Sequence, residues 1–223
     1  MLRACRPRQW PKNLLVLAAP AAAGALGALS AWLVCGAVVA LFCLAASGTY
    51  LLNDVRDVDR DRAHARKRCR PVASGALPLR TAFAAGIVLI FAAPPLSLLL
   101  GDPALTAVVT GYVLLTAAYT FRLKDIVLVD LAAVTGCHVL RAAAGAVAVG
   151  VPMTGSFVLV VAIGALLLVS GKREAERRGT TPARRTLGVY SARFLTRLRV
   201  SVSAVLVITY CLWALSQGAW HSA

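Results

Sequence analysis

At 223 residues, with 59% hydrophobic side chains, 15% charged and a mean hydropathy of +0.76, the chain is too apolar for an ordinary soluble domain, where charged residues make up about a quarter. A soluble amphipathic bundle would show polar faces at helical spacing, and segments such as GAVVALFCLAASGTYLL have no charged face. The chain is read as a polytopic, all-α membrane protein, and its net charge of +15 as topology plus attraction to anionic headgroups rather than nucleic-acid binding.

In chain order, MLRACRPRQWPKN gathers Arg3, Arg6, Arg8 and Lys12 around Trp10. It is either an interfacial anchor or one wall of an anionic pocket. It leads straight into an apolar span with no export cleavage region. Seven spans then run approximately over residues 14–30, 32–52, 81–100, 104–121, 126–149, 154–170 and 200–217, each near the ~20 residues that cross a ~30 Å hydrocarbon core. GALGA and AAAGAVAVG within them read as helix packing contacts.

Every basic residue except Arg141 falls in the N-terminal segment or in the loops after the second, fourth and sixth spans, and the alternate loops carry none. The positive-inside rule then puts the N-terminus and these loops in the cytoplasm and the C-terminus outside. Residues 1–223 read as a single domain with its chemistry on one side. The six cysteines show no metal-ligand spacing, so free thiols are expected.

The loop after the second span is YLLNDVRDVDRDRAHARKRCRPVASG. It concentrates Asp54, Asp57, Asp59 and Asp61, four of the nine acidic residues, just before a basic run that includes Arg68. If the second span continues as a helix, about 100° per residue places Asp54, Asp57 and Asp61 on one face, with Asn53 beside it and Asp59 pointing away. Stacked carboxylates of this kind suit a hard divalent ion such as Mg2+, which takes phosphate oxygens or water for the rest of its shell. The alternative is a solvated interface in which Asp57, Asp59 and Asp61 pair with Arg56, Arg60, Arg62 and Arg66.

Two further loop ends repeat the theme. YTFRLKDIVLVD offers Tyr119, Arg122, Lys124, Asp125 and Asp130, and Asp130 should lie inside the fifth span, where it needs a metal or a partner such as Lys124. GKREAERRG ends the sixth span with Lys172, Arg173, Glu174 and Glu176, either a snorkelling anchor or part of a site. Arg141, three helical turns beyond Asp130, either reaches a central cavity or snorkels to the far interface.

NDVRDVDRD fits the NDxxDxxxD signature of the UbiA superfamily of intramembrane prenyltransferases, with Asn53, Asp54, Asp57 and Asp61 at its fixed positions. YTFRLKDIVLVD resembles the second Asp motif of that family, although Asp125 and Asp130 are five apart rather than four. RPRQWPKNLLVLAAP and GKREAE resemble the branch that transfers 5-phosphoribosyl from phosphoribosyl diphosphate to a polyprenyl phosphate such as decaprenyl phosphate, on the way to cell-wall arabinan.

The resemblance implies a nine-helix bundle in a bacterial plasma membrane, of which the last two helices are missing here. It also implies Mg2+ on Asn53, Asp54, Asp57 and Asp61, the three aspartates with Lys124, Lys172 and Arg173 acting in catalysis, and Lys12, Arg68, Tyr119, Asp130 and Arg141 meeting substrate. Self-association is left open. Three other readings remain: a prenyltransferase using a prenyl diphosphate, which would need more than the 7% aromatic residues present, an ion-binding or transport protein, and a truncated, inactive relative.

Overall fold

The structure is a computed structural model that describes residues 1–178 and 186–220. It is helical, with α1 (Ala18–Ala22), α2 (Leu29–Arg56), α3 (Val58–Ala63), α4 (Leu79–Leu98), α5 (Pro103–Phe121), α6 (Val129–Ala148), α7 (Gly155–Arg178), α8 (Thr186–Val189) and α9 (Ala192–Trp220). Among the described residues, six helices are long and apolar enough to cross a membrane: α2, α4, α5, α6, α7 and α9. With 28 residues at 1.5 Å per residue, α2 is about 42 Å long, so it outruns a ~30 Å core and delivers its last, polar turn to the interface.

The first predicted span does not form one helix. Residues Pro7–Leu17 wind as tight 3-10 turns, the short α1 follows, and Ala25–Gly27 forms a further turn after Gly24, whose φ is +67°. Proline explains much of this, since Pro7, Pro11 and Pro20 each lack the amide proton an α-helical ladder needs. The segment still runs antiparallel to α2. Arg6 meets Asp54, Trp10 Nε1 donates to Ser47 Oγ at 3.2 Å, and Asn13 Nδ2 lies 3.2 Å from Cys43 Sγ. GALGA is therefore a turn and not a packing stripe, and nothing approaches Gly24 or Gly27. The last helix starts at Ala192, before the expected residue 200, because Arg193, Arg197 and Arg199 extend the apolar helix at its polar end.

Two compact units divide the chain: Met1–Thr120 with Arg141–Val151, and Phe121–Leu140 with Pro152–Ala223. In the first, α2 and α4 pack through glycine. A Cβ on Gly48 would come within 2.8 Å of Gly86 O, and one on Gly86 within 2.8 Å of Leu52 Cδ2. Gly145, from AAAGAVAVG, lies against the backbone of Val16 with no room for a side chain. Phe42 and Tyr112 meet edge to face, with centroids 4.8 Å apart. In the second unit, Leu131, Val169, Tyr190 and Leu195 form a buried cluster. None of the six cysteines forms a disulfide.

Candidate active site

In the first unit, the acidic cluster is built where α2 gives way to α3. Asp57 leaves helical geometry at φ −97° and ψ 14°. Even so, Asp57 N donates to Asn53 O at 2.9 Å and Asp61 N to Asp57 O at 2.8 Å, which carries the helical register across the break. Asp54 and Asp61 consequently face inward, each 2% exposed. Asp57 stays partly open, with 27% of its side chain exposed, and Asp59 points away at 92%, as the helical reading expects.

A single guanidinium joins the two buried carboxylates. Arg70 Nη1 donates to Asp54 Oδ1 at 3.2 Å and to Asp61 Oδ2 at 2.6 Å. The turn Lys67–Cys69 presents Arg70, and Pro71 behind it favours the extended backbone seen there, φ −66° and ψ 145°. Arg62 Nε donates to Ala73 O at 3.2 Å and so ties α3 to this loop. Arg6 also pairs with Asp54 and lies over the Tyr50 ring, 5.0 Å from its centroid. The solvated-interface alternative holds for two of the aspartates. Asp57 and Asp59 make the solvated pairs, with Arg60 at 4.0 Å and Arg62 at 3.6 Å, while Asp54 and Asp61 are sequestered.

Deeper in this unit, Arg141 is turned inward rather than snorkelling to the far interface. It is buried, donates from Nε to Asn13 Oδ1 at 2.8 Å and from Nη2 to the Tyr112 hydroxyl at 2.9 Å, and stacks on the Tyr112 ring. It pins α5, α6 and the N-terminal segment together.

In the second unit, Asp130 is wholly buried on the first turn of α6, and its partner is Arg173 rather than Lys124. Arg173 Nε donates to Asp130 Oδ2 at 3.0 Å and its Nη1 to Glu176 Oε2 at 2.9 Å. The Tyr190 hydroxyl donates to Asp130 Oδ1 at 2.6 Å and accepts from Leu128 N at 2.7 Å, which holds Leu128 at φ 65°. Burial, and then the bond to the Asp130 carboxylate, push the Tyr190 hydroxyl up to about 12. Nearby, a cavity of about 650 Å³ is lined by Leu128, Leu131, Leu140, Leu166, Leu198 and Thr135, among others, and is almost entirely apolar.

Asn53 is half-buried beside Asp54, Arg68 is exposed on the loop that carries Arg70, and Lys12 is exposed and donates to Gln9. Tyr119 and Lys124 are half-buried at and beyond the end of α5, and Lys172 is exposed with Nζ 3.9 Å from Glu176. Sequence reasoning named neither Arg6, Arg70 nor Tyr190 as site residues. Arg70 had a signal, as the last cation before Pro71; Tyr190 had none, 60 residues from Asp130.

The oxygen donors suit a hard divalent ion. No group of three His, Cys, Asp or Glu side chains is close enough to hold a metal among the described residues. In the acidic motif, Asp54 and Asp61 converge on a common cation, here Arg70. Two carboxylates completed by phosphate oxygens and water make a normal Mg2+ shell, so the pair fits that ion.

Membrane-length helices with buried carboxylates and guanidinium groups at one helix end define a polytopic membrane protein with an interfacial charged site. The chain belongs to the UbiA prenyltransferase family, whose model matches residues 14–222. Decaprenyl-phosphate phosphoribosyltransferase of Corynebacterium glutamicum is 40% identical, over 99% of this chain and 71% of its own length. The Mycolicibacterium smegmatis protein of that name is 39% identical over 97% and 70%, and that of Mycobacterium tuberculosis 37% over 100% and 77%. Among solved structures, a UbiA homologue from Archaeoglobus fulgidus bound to GPP and Mg2+ superposes with a TM-score of 0.80 at 19% identity, covering 95% of this chain and 76% of that one.

Proposed function

We propose that this chain moves 5-phosphoribosyl from phosphoribosyl diphosphate to decaprenyl or a similar polyprenyl phosphate, at the cytoplasmic membrane face, in the supply of cell-wall arabinan precursors. The observation that carries the reading is the pair Asp54 and Asp61, buried at the end of a membrane helix and converging on one cation. Similarity to the phosphoribosyltransferases over nearly the whole chain supports the donor, and the concentration of cations at this end of the spans supports the cytoplasmic side.

Asp54 and Asp61 would hold Mg2+, with Asn53 and Asp57 of the same motif beside them, and the ion when bound supplies positive charge to the diphosphate. The bond from ribose C1 to diphosphate breaks and a bond from C1 to the acceptor's phosphate oxygen forms, with diphosphate as leaving group. That oxygen is already anionic at neutral pH, so no strong base is required. The task left to the protein is to hold two mutually repelling anions in line, and Lys12 and Arg68, in the same unit as the aspartates, offset their charge. Arg173 is engaged by Asp130, which suits it to positioning the second motif. The apolar cavity of the second unit has the chemistry of a polyprenyl tail site.

The A. fulgidus complexes with GPP or DMAPP keep a prenyl diphosphate donor as the second reading. Membranes carrying the chain are given phosphoribosyl diphosphate labelled in the ribose, polyprenyl phosphate and Mg2+, or labelled prenyl diphosphate in place of the first. Lipid-phase label from the ribose donor, dependent on the lipid acceptor, is expected. Label from the prenyl donor alone would replace this reading by the second.

A further inference from the structure

We propose that Arg70 is the resident counter-ion of the Asp54 and Asp61 pair, and that a divalent ion takes its place when a diphosphate group arrives to receive the guanidinium. The inference rests on the proposed diphosphate chemistry and adds a role for a residue outside the metal-binding motif.

Three features carry it. First, one nitrogen, Nη1, serves both buried carboxylates, at 3.2 and 2.6 Å, so Arg70 stands between the oxygens a divalent ion would bridge. A guanidinium and a divalent cation in one small space repel, and both cannot keep the same two oxygens. Second, Arg70 is placed to leave. It sits on the loop between α3 and α4, its side chain is 30% exposed, and rotation of that side chain releases both carboxylates without moving a helix. Arg6, the other cation on Asp54, has a further hold in the Tyr50 ring and is the one expected to stay. Third, a guanidinium stripped of its carboxylates needs another anion, and a diphosphate offers the bidentate oxygens it pairs with best.

Metal and diphosphate therefore bind as coupled ligands. Each favours the arrangement the other needs, and by linkage the enhancement is the same in both directions. Metal without diphosphate must evict Arg70 into water, and diphosphate without metal finds Arg70 occupied.

The test is Mn2+ binding to the purified full chain in detergent, followed by electron paramagnetic resonance of free and bound ion, with and without inorganic diphosphate. Wild type should bind Mn2+ alone weakly, and Arg70→Gln should bind it alone about tenfold more tightly, about 1.4 kcal/mol. The same variant should lose most of the enhancement by diphosphate beyond what solution complexes give. Arg70→Lys keeps the charge but cannot bridge two carboxylates in the same way, and is expected to fall between the two. It also serves as the test should Arg70→Gln not survive extraction. Equal or weaker Mn2+ binding in the Arg70 variants overturns the proposal and leaves the function standing. Mn2+ binding unchanged in Asp54→Asn and Asp61→Asn overturns the metal reading itself, and this proposal with it.

Discussion

Tyr190 closes the second unit by donating to Asp130 while accepting from Leu128. Removing its hydroxyl leaves a buried carboxylate oxygen and a backbone amide short of a partner, so Tyr190→Phe should cost about 1–3 kcal/mol in detergent thermal melts. Its raised value of about 12, against 10.0 ordinarily, fixes the pH dependence. The neutral phenol is the form the fold prefers, so its contribution is complete below pH 10 and is lost as pH rises toward 12. The gap between wild type and Tyr190→Phe should be flat below that window and narrow within it; a gap that widens with pH would contradict the assignment. The same site marks a limit of sequence reading. That Asp130 would lie in a helix and need a partner was legible from hydropathy, whereas the choice of Arg173 over nearby Lys124 depends on helix packing. Arg141 is similar. Its oddity showed in the sequence, and its partners Asn13 and Tyr112, 128 and 29 residues away, did not.

Among the elements, the long spans were legible because about 20 apolar residues leave few alternatives in lipid. The first was misjudged because hydropathy counts residues and ignores proline: Pro20 lies inside the predicted span and Pro11 just before it, and both favour tight turns and a short helix. Glycine compensates, since Gly145 lets the Val16 backbone lie directly on α6. Gly145→Ala should push this segment away and lower stability by about 1–3 kcal/mol, read as a lower melting midpoint. An unchanged midpoint would mean the close approach is not required. The acidic motif also shows how far periodicity reaches. Its spacing placed Asp54, Asp57 and Asp61 on one face and Asp59 outside, but it did not show the break at Asp57, which leaves that residue half open.

Across the whole molecule, charge is the organising feature: most cations cluster at alternate ends of the spans, and two of them, Arg6 and Arg70, reach buried Asp54. Family membership and the helical fold explain why a hydrophobic chain keeps carboxylates at all, since a buried Asp without a task is costly to keep. Asp54 and Asp61 are the proposed metal and diphosphate site of a transferase. The most direct test is label transfer from ribose-labelled phosphoribosyl diphosphate to polyprenyl phosphate by membranes carrying wild type, Asp54→Asn or Asp61→Asn, with Mg2+ or with EDTA. The prediction is lipid-phase label in wild type that EDTA abolishes and that either substitution lowers by about a hundredfold or more, at equal protein in the membrane. Transfer at the wild-type rate in either variant, or in EDTA, would contradict it.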